Sequence, residues 1–479
     1  MTLLRVAFQT LGCKLNQLET ESIADAFLDS GAKIVSFHET ADLYVVNTCT
    51  VTSKAEQKAR HDIRAALVRA PECIVVATGC YAQMDPEQLA MLSERVLVVP
   101  GDLKASLLSL ARWLAENWQG HGALLYAAQT WQRETAESLK SLRSTDPSAS
   151  FDRFAFHPDH FAMHSRPALK IQDGCNHRCA YCRVCFARGP SISLSAREVL
   201  QRVQRLELSG KNEVVLTGVN LAQYQDGTLD FSSLLALLIR ETNSIRFRIS
   251  SYEPERIDDA FITSFSNPRV RPHMHLSVQS GCDETLKRMA RPYRAVAVQR
   301  AVNSLREVRE DPFLACDMIA GFPGETDAEF ETTFSFLSEL DFAWIHAFPF
   351  SARPGTRAAN MTPRVPERIA GERVDRLLDL ARTGKQAYIA RWFGREVEMV
   401  MEHSSGNSRR NQDHVPTEIS EPVLIIGTTE NYLKAEARLG TKMYANSEAF
   451  APGNAFSVIL TQEQPSSAAD ISAIFPQDP

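Results

Sequence analysis

The 479-residue chain has no run approaching the ~20 consecutive apolar residues that a membrane-spanning helix needs, so no helical membrane span is expected. Its first residues, MTLLRVAFQTLGC, lack a basic start, a long apolar run and a small-residue cleavage site, and no secretory signal is read there. Positive charge is not in excess either. Lys and Arg number 52 against 58 Asp and Glu, a net charge of −6, which weighs against a body that wraps nucleic acid. Two runs, KAEQKARHDIRAALVR and LKRMARPYRAVAVQRAV, are locally basic, and Arg178, Arg183 and Arg188 lie among a group of cysteines. These leave room for a small basic footprint on an acidic body, the plainer alternative being solvated helix faces. With secretion set aside, disulfides are disfavoured, and the ten cysteines point to metal binding or catalysis in a cytoplasmic chain. Apolar content of 44 % and charged content of 23 % are those of a soluble globular protein, long enough for two to four domains.

The first hundred residues alternate strand and helix. LLRVAFQTLGC, AKIVSF, DLYVVNTC and ECIVVATGC read as strands, with LETESIADAFLDSG and KAEQKARHDIRAALVRA as helices between them and another helix near DPEQLAMLS. The expected fold is a doubly wound parallel sheet. Cys13, Cys49 and Cys80 each fall just past the end of an apolar strand. In a parallel sheet those ends share one edge, the edge where such sheets bind ligands, so three cysteines distant in sequence can converge. Cys73, at the start of its strand, falls on the opposite edge and is read as structural.

LKASLLSLARWLAENW predicts a helix, and ESLKSLRSTDPSASFDRFAFHPDH, rich in Ser, Asp and Pro, predicts a linker. From about residue 166 the alternation returns. Six strands, ALKIQDGC, NEVVLTGVN, IRFRISSYEP, HMHLSVQSG, FLACDMIAGFPG and FAWIHAFPF, are separated by helical runs. They predict an open or closed (β/α) barrel working at its C-terminal strand ends. Capping boxes are expected at Ser195 with Glu198 and at Thr326 with Glu329. After about residue 385 four short strands, REVEMVMEH, PVLIIGTT, YLKAEARL and AFSVILT, predict a small β-barrel or sandwich, and the last residues read as a tail. The expected divisions are 1–103, a helix and linker over 104–165, the barrel over 166–385, the small barrel over 386–465 and the tail over 466–479.

The segment DGCNHRCAYCRVCFARG carries Cys175, Cys179 and Cys182 as CxxxCxxC, followed by Cys185. Thiolates select zinc, cuprous copper or iron–sulfur clusters. Structural zinc takes four closed ligands, commonly as paired knuckles. Three thiolates on one loop leave one iron of a 4Fe–4S cluster without a protein ligand, open to another molecule. Cys185, only three residues past Cys182, is read as a bystander or a pocket-lining thiol.

This CxxxCxxC, placed after a strand and before a barrel, resembles the radical S-adenosylmethionine superfamily. There, three cysteines hold a 4Fe–4S cluster whose open iron chelates S-adenosylmethionine. Tyr181 matches the aromatic between the second and third cysteines. LTGVN with Thr217 and Gly218, SSYEP with Ser251 and Glu253, HLSVQSG with Gln279 and DMIAGFPGET with Asp317 resemble the strand-end segments around the cofactor. TLGCKLNQLETE, VVNTCTVT, ATGCYAQMDPEQL and HAFPFSARPGTRAA extend the likeness to the methylthiotransferase family over nearly all of residues 1–365. That resemblance implies a flavodoxin-like N-terminal domain, a radical barrel and a TRAM-like RNA-binding β-barrel. It also implies a second 4Fe–4S cluster on Cys13, Cys49 and Cys80. The form GCKLNQLETE is closest to the branch acting on N6-threonylcarbamoyladenosine of tRNA, next to the anticodon. Branches acting on isopentenyladenosine or on a ribosomal-protein aspartate differ at this point. The resemblance implies a tRNA substrate and a flavodoxin- or ferredoxin-type electron donor. The chain departs from the family after the cluster, where Cys185, Pro190 and Ile192 stand in place of a proline and two arginines, and at Ser277 and Cys282. A zinc-stabilised RNA-binding protein without catalysis is the rival from another class.

Overall fold

The computed structural model describes residues 3–118, 124–145, 151–158, 165–404, 423–439 and 452–476. Near the N-terminus, five parallel strands pair in the order β2-β1-β3-β4-β5. They are β1 (Arg5–Thr10), β2 (Lys33–Val35), β3 (Leu43–Thr48), β4 (Ile74–Gly79) and β5 (Val96–Val98). This is the flavodoxin-like order, whose ligand crevice lies where the winding reverses, between β1 and β3. Every residue of β3 and β4 is buried, as expected of strands covered on both faces. Helix α1 (Lys14–Asp29) sends Ile23, Ala24 and Phe27 into the core on one side of the sheet. Helix α2 (Ser53–Arg69) sends Ala59, Ile63 and Ala66 into the other, and its first turn is capped by the Thr52 hydroxyl accepting from Ala55 N.

Part of the expected linker is not one. Residues 124–145 form a single helix that, with Leu107–Asn117, adds Leu110, Leu114, Ala128 and Trp131 to the core under α1. Its helical periodicity was masked by Ser138, Ser141 and Ser144 on the exposed face. Phe154 and Phe156 are buried as well. Residues 146–150 and 159–164 of that linker lie outside the described residues.

Six strands build the central barrel: Ala168–Lys170, Glu213–Thr217, Arg246–Ile249, His273–Gln279, Phe313–Ala320 and Trp344–Pro349. The third resumes after Ser250 as Ser251–Tyr252, so it pairs with Glu213–Thr217 through its first half and with His273–Gln279 through its second. All the pairs are parallel, and among the described residues the first and last strands do not pair, which leaves the barrel open. Val214, Leu216, Phe247, Met274, Leu276, Leu314 and Cys316 fill the core, and Cys316 is fully buried as a packing thiol. Thr326 and Glu329 form the complete capping box. At Ser195 only half of one forms. The Ser195 hydroxyl accepts from Glu198 N, whereas the Glu198 carboxylate turns to Arg202 at 2.9 Å.

The helix Glu367–Arg391 runs past residue 385, so the small barrel begins after it rather than within it. Among the described residues that barrel is closed and has five strands, where four were expected. The fifth, Ile471–Ile474, falls in the expected tail; it pairs parallel with Lys434–Leu439 and antiparallel with Ala455–Thr461, and it buries Ile471 and Ala473. Four residues after a Ser- and Ala-rich stretch carry too weak a pattern to read alone, and only closure of the sheet gives them partners. No helix among the described residues is long and apolar enough to cross a membrane.

Candidate active site

The glycines before the cysteines shape both thiol groups. Gly174 has φ +73°, and a Cβ on it would stand 1.9 Å from the Pro190 carbonyl oxygen. Gly79 has φ +96°, and a Cβ there would meet Thr48 O at 2.4 Å. Only glycine satisfies both the left-handed backbone and the close approach, so the chain can turn sharply and present Cys175 and Cys80 at strand ends.

On the barrel loop each of the three sulfurs has a donor within reach. Gln223 Nε2 lies 3.7 Å and Asn220 Nδ2 4.0 Å from Cys175 Sγ. Arg291 Nη1 donates to Cys179 Sγ at 3.2 Å, and Val184 N to Cys182 Sγ at 3.4 Å. Burial pushes all three thiols up, Cys182 to about 12, with Cys179 and Cys175 adding to it. Thiols so placed become thiolates only when a bound metal centre supplies the compensating charge. Cys185 sits on the short helix Val184–Arg188 with its Sγ 3.9 Å from the Cys182 carbonyl oxygen.

Cys13, Cys49 and Cys80 follow β1, β3 and β4, three neighbouring strands, at one sheet edge. A Cβ built on Gly12 would lie 2.8 Å from Cys49 Sγ, which shows how closely the first two loops approach. Burial pushes the Cys49 thiol up to about 12, and the neighbouring Cys80 and Cys13 thiols push the same way. Asn16 ties these loops together, its Nδ2 donating to Leu11 O at 2.8 Å and Thr48 O at 3.1 Å. Each trio offers three thiols on neighbouring loops and no fourth, a donor set that fits an iron–sulfur cluster with one open iron. Among the described residues no group of three or more His, Cys, Asp or Glu side chains is gathered as ligands of a single metal ion.

A buried ion network ties the loops of the two trios together. Arg188 donates to Asn16 Oδ1 at 2.9 Å, to Glu19 at 2.9 and 3.1 Å and to Asp173 at 3.1 Å. Glu19 also takes Lys104 at 2.5 Å and Lys170 at 3.0 Å. Against the burial that would raise it, Arg188, Lys104 and Lys170 hold the Glu19 carboxyl well below its ordinary range. Beside this network Arg183, the residue after Cys182, reaches Asp85 at 3.0 Å and Thr50, the residue after Cys49, at 3.4 Å. Arg353 secures the same corner through Glu56 and through Ser53 Oγ at 2.9 Å. A cavity bordered by Cys80, Lys104, Lys170 and Arg188 opens between the two halves.

The other expected site residues fall into small groups. Glu253 is buried, pairs with Arg291 and lies 3.4 Å from Asn220 Nδ2, which places it beside the Cys175 and Cys179 sulfurs. Burial raises its carboxyl to about 7, with Glu255 adding to this and Arg291 opposing it. Thr217 ends its strand buried, and Gly218 leaves room for Gln172, whose Oε1 accepts from Asn220 N at 2.8 Å. Gln279 ends a bulged strand at φ +66°. Tyr181 stands edge-on to Phe322. Ser251 and Asp317 meet through His275, whose Nδ1 is 3.1 Å from Ser251 Oγ and whose Nε2 is 3.1 Å from Asp317 Oδ1. The position of His275 within its strand gives no hint of these partners. Arg291, Asn220 and Gln223 were missed as well, although Asn220 and Gln223 follow Gly218 closely in LTGVNLAQY.

Lys14 begins α1 directly after Cys13, half-buried, with its Nζ 5.4 Å from the centre of the Tyr432 ring. Burial lowers its pKa. Tyr432, on the loop between two strands of the small barrel, also receives Arg248 at 5.3 Å and Arg166 at 5.9 Å, and His273 stacks 3.9 Å from it. The first cysteine loop, the central barrel and the small barrel thus meet at one ring.

Residues 5–101 match the family model described as Uncharacterized protein family UPF0004, and residues 169–337 match the Radical SAM superfamily. The chain is 44 % identical to the threonylcarbamoyladenosine tRNA methylthiotransferase of Treponema pallidum, over 83 % of this chain and 91 % of that protein. It is 35 % identical to the same-named protein of Aquifex aeolicus, over 83 % of this chain and 93 % of that one. It is 33 % identical to that of Bacillus subtilis, over 90 % and 89 %.

Proposed function

This chain belongs to the threonylcarbamoyladenosine tRNA methylthiotransferase family, and from that premise we propose that it converts N6-threonylcarbamoyladenosine beside the anticodon of tRNA to its 2-methylthio form. Enzymes of this kind use two 4Fe–4S clusters and S-adenosylmethionine. When bound, these groups supply a carbon-centred radical able to take hydrogen from an unactivated ring carbon, and a sulfur source beside it. The reading is supported by two three-thiol sets at C-terminal strand ends whose loops are tied to one another through Arg183 to Thr50 and through Arg188 to Asn16 and Glu19.

We assign Cys175, Cys179 and Cys182 to the cluster that binds S-adenosylmethionine, and Cys13, Cys49 and Cys80 to the second. Arg291 steadies the Cys179 sulfur and keeps Glu253 beside it. Glu253, Thr217, Gly218, Ser251, Gln279, Asp317 and Tyr181 are the candidate contacts to the cofactor. Glu253 offers an acceptor for its amino or hydroxyl donors. Arg183, Arg188 and Glu19 are positioning residues, holding the two loops at a fixed separation. The small C-terminal barrel is the candidate RNA-binding element, since sequence-specific RNA recognition works on unpaired, splayed bases held by such modules. A flavodoxin- or ferredoxin-type protein is the proposed electron donor, and the cytoplasm the proposed site of action.

Nucleoside mass spectrometry tests this directly. The protein, reconstituted anaerobically with iron and sulfide and given S-adenosylmethionine and a reductant, should add the methylthio group to tRNA carrying threonylcarbamoyladenosine. tRNA from a deletion strain should lose the 2-methylthio form and keep threonylcarbamoyladenosine itself. Unchanged tRNA in both experiments would end the proposal.

A further inference from the structure

The ring of Tyr432 is surrounded by cations, and their neutralisation is uneven. Arg248 pairs with Glu213 at 2.6 Å, and Arg166 with Glu402 at 3.0 Å and Glu213 at 3.8 Å. Lys14 has no carboxylate among the described residues, and its contact is with Tyr432. Around the same ring the buried Arg248 Nη1 and His273 Nδ1 have no hydrogen-bond partner among the described residues, and Arg166 Nη1 has only the Glu213 carboxylate at 3.8 Å. Arg248 is fully buried and His273 is 3 % exposed, so water does not readily satisfy them. A buried guanidinium N–H left unpaired is costly, and an anion entering beside it would relieve that cost.

We propose that Lys14, together with Arg248 Nη1 and a His273 ring N–H beside Tyr432, forms the subsite that binds the carboxylate of the threonylcarbamoyl group and so selects the substrate; this rests on the function proposed above. Position supports a carboxylate on the base rather than a backbone phosphate. Lys14 adjoins Cys13, so its ammonium lies within about 10 Å of the Cys13 Cα, one residue step plus an extended side chain. The threonylcarbamoyl group hangs from N6 of the same ring whose C2 receives sulfur. A base delivered to the second cluster would therefore carry its carboxylate toward Lys14. A site with buried donors rejects an analogue lacking the matching acceptor far more strongly than an apolar pocket can. The proposal also gives the small barrel a part in substrate choice, because Tyr432 is its contribution to the subsite.

The test uses the reconstituted holoenzyme and two anticodon stem–loop RNAs. One carries threonylcarbamoyladenosine; the other carries the same nucleoside with its carboxylate converted to a carboxamide. Dissociation constants are read by fluorescence anisotropy, and methylthiolation is followed in parallel. Wild type should bind the carboxamide RNA about 10- to 100-fold more weakly, the range of a hydrogen-bonded charge contact. Lys14→Met should lose affinity for the carboxylate RNA and discriminate the two by less than about threefold, while Lys14→Arg keeps the preference. Iron content per chain monitors the integrity of each variant. Equal binding of both RNAs by wild type overturns the proposal without reference to any variant. So does a Lys14→Met protein that discriminates as wild type does, or one that loses affinity equally for both RNAs, the mark of a phosphate contact. If wild type fails to methylthiolate the carboxylate RNA at all, the parent function falls, and the carboxylate subsite falls with it.

Discussion

Glu19→Gln is the most informative single perturbation of the interface between the two thiol sets. Glu19 is 2 % exposed and receives Lys104, Lys170 and Arg188. Lys170 and Arg188 keep Asp173 as a second partner, at 2.6 and 3.1 Å, but Lys104 has no other carboxylate among the described residues and is 3 % exposed. The substitution therefore strands one buried ammonium and weakens two further pairs. Breaking a buried pair from one side costs about 3–5 kcal/mol, because the remaining charge stays desolvated. The amide oxygen still accepts one hydrogen bond, which puts the expected loss near 3 kcal/mol. With a urea dependence of about 3 kcal/mol per molar, the midpoint for the N-terminal half should fall by about 1 M. Near-ultraviolet circular dichroism of the iron-free chain reads it. The matched control is Glu372→Gln, which removes an exposed pair with Arg368 and should leave the midpoint unchanged. The pH dependence has a fixed sign. The folded-state pKa of Glu19 lies well below its ordinary 4.5, so its contribution is complete above about 4.5 and is lost as pH falls toward the lowered value. The gap between wild type and Glu19→Gln should close over that acid range. A variant as stable as the Glu372 control at pH 7, or a gap that widens in acid, would refute the reasoning.

Replacing Cys13, Cys49 and Cys80 together by Ala should lower reconstituted iron from about eight to about four per chain while S-adenosylmethionine is still cleaved, since the barrel trio is untouched; retention of all the iron would contradict a second cluster. Gly79→Ala puts a Cβ 2.4 Å from Thr48 O at φ +96° and should lose the same four irons without touching a thiol, as iron analysis will show. Truncation after residue 465 removes the strand Ile471–Ile474 that closes the small barrel. It should weaken tRNA binding at least tenfold in gel-shift titrations, and unaltered affinity would separate the barrel from RNA recognition.

What could be read from the chain divides along the range of the forces involved. Local, periodic features were legible: the parallel sheet, the six barrel strands and the thiols at strand ends follow from apolar runs and their stops. Thr326 and Glu329 announced their capping box three residues apart, and the same spacing at Ser195 produced only half of one, because Arg202 one turn on offers Glu198 a charged partner. Features made by distant partners were not legible. Ile471–Ile474 is a strand only because two other strands offer it their edges, and His275 acquires a role only where the barrel brings Ser251 and Asp317 to it. The segment GCKLNQLE shows both kinds of information in eight residues. Its cysteine could be placed at the sheet edge from its position after β1. The spacing of the rest, Asn three residues on and Glu six, has a physical cause that only assembly reveals. Asn16 and Glu19 occupy one face of α1, a turn apart. From there Asn16 staples the loops of Cys13 and Cys49, and Glu19 anchors the helix to the barrel through Lys170 and Arg188. Lys14, at the start of the same helix, is directed away from both, toward Tyr432 of the small barrel. One helical turn and a half thus fixes a thiol, joins two domains and presents an unneutralised ammonium to a third. A motif of this kind holds its spacing because each residue answers to a different neighbour, and moving any one by a single position would turn it by about 100° off its partner.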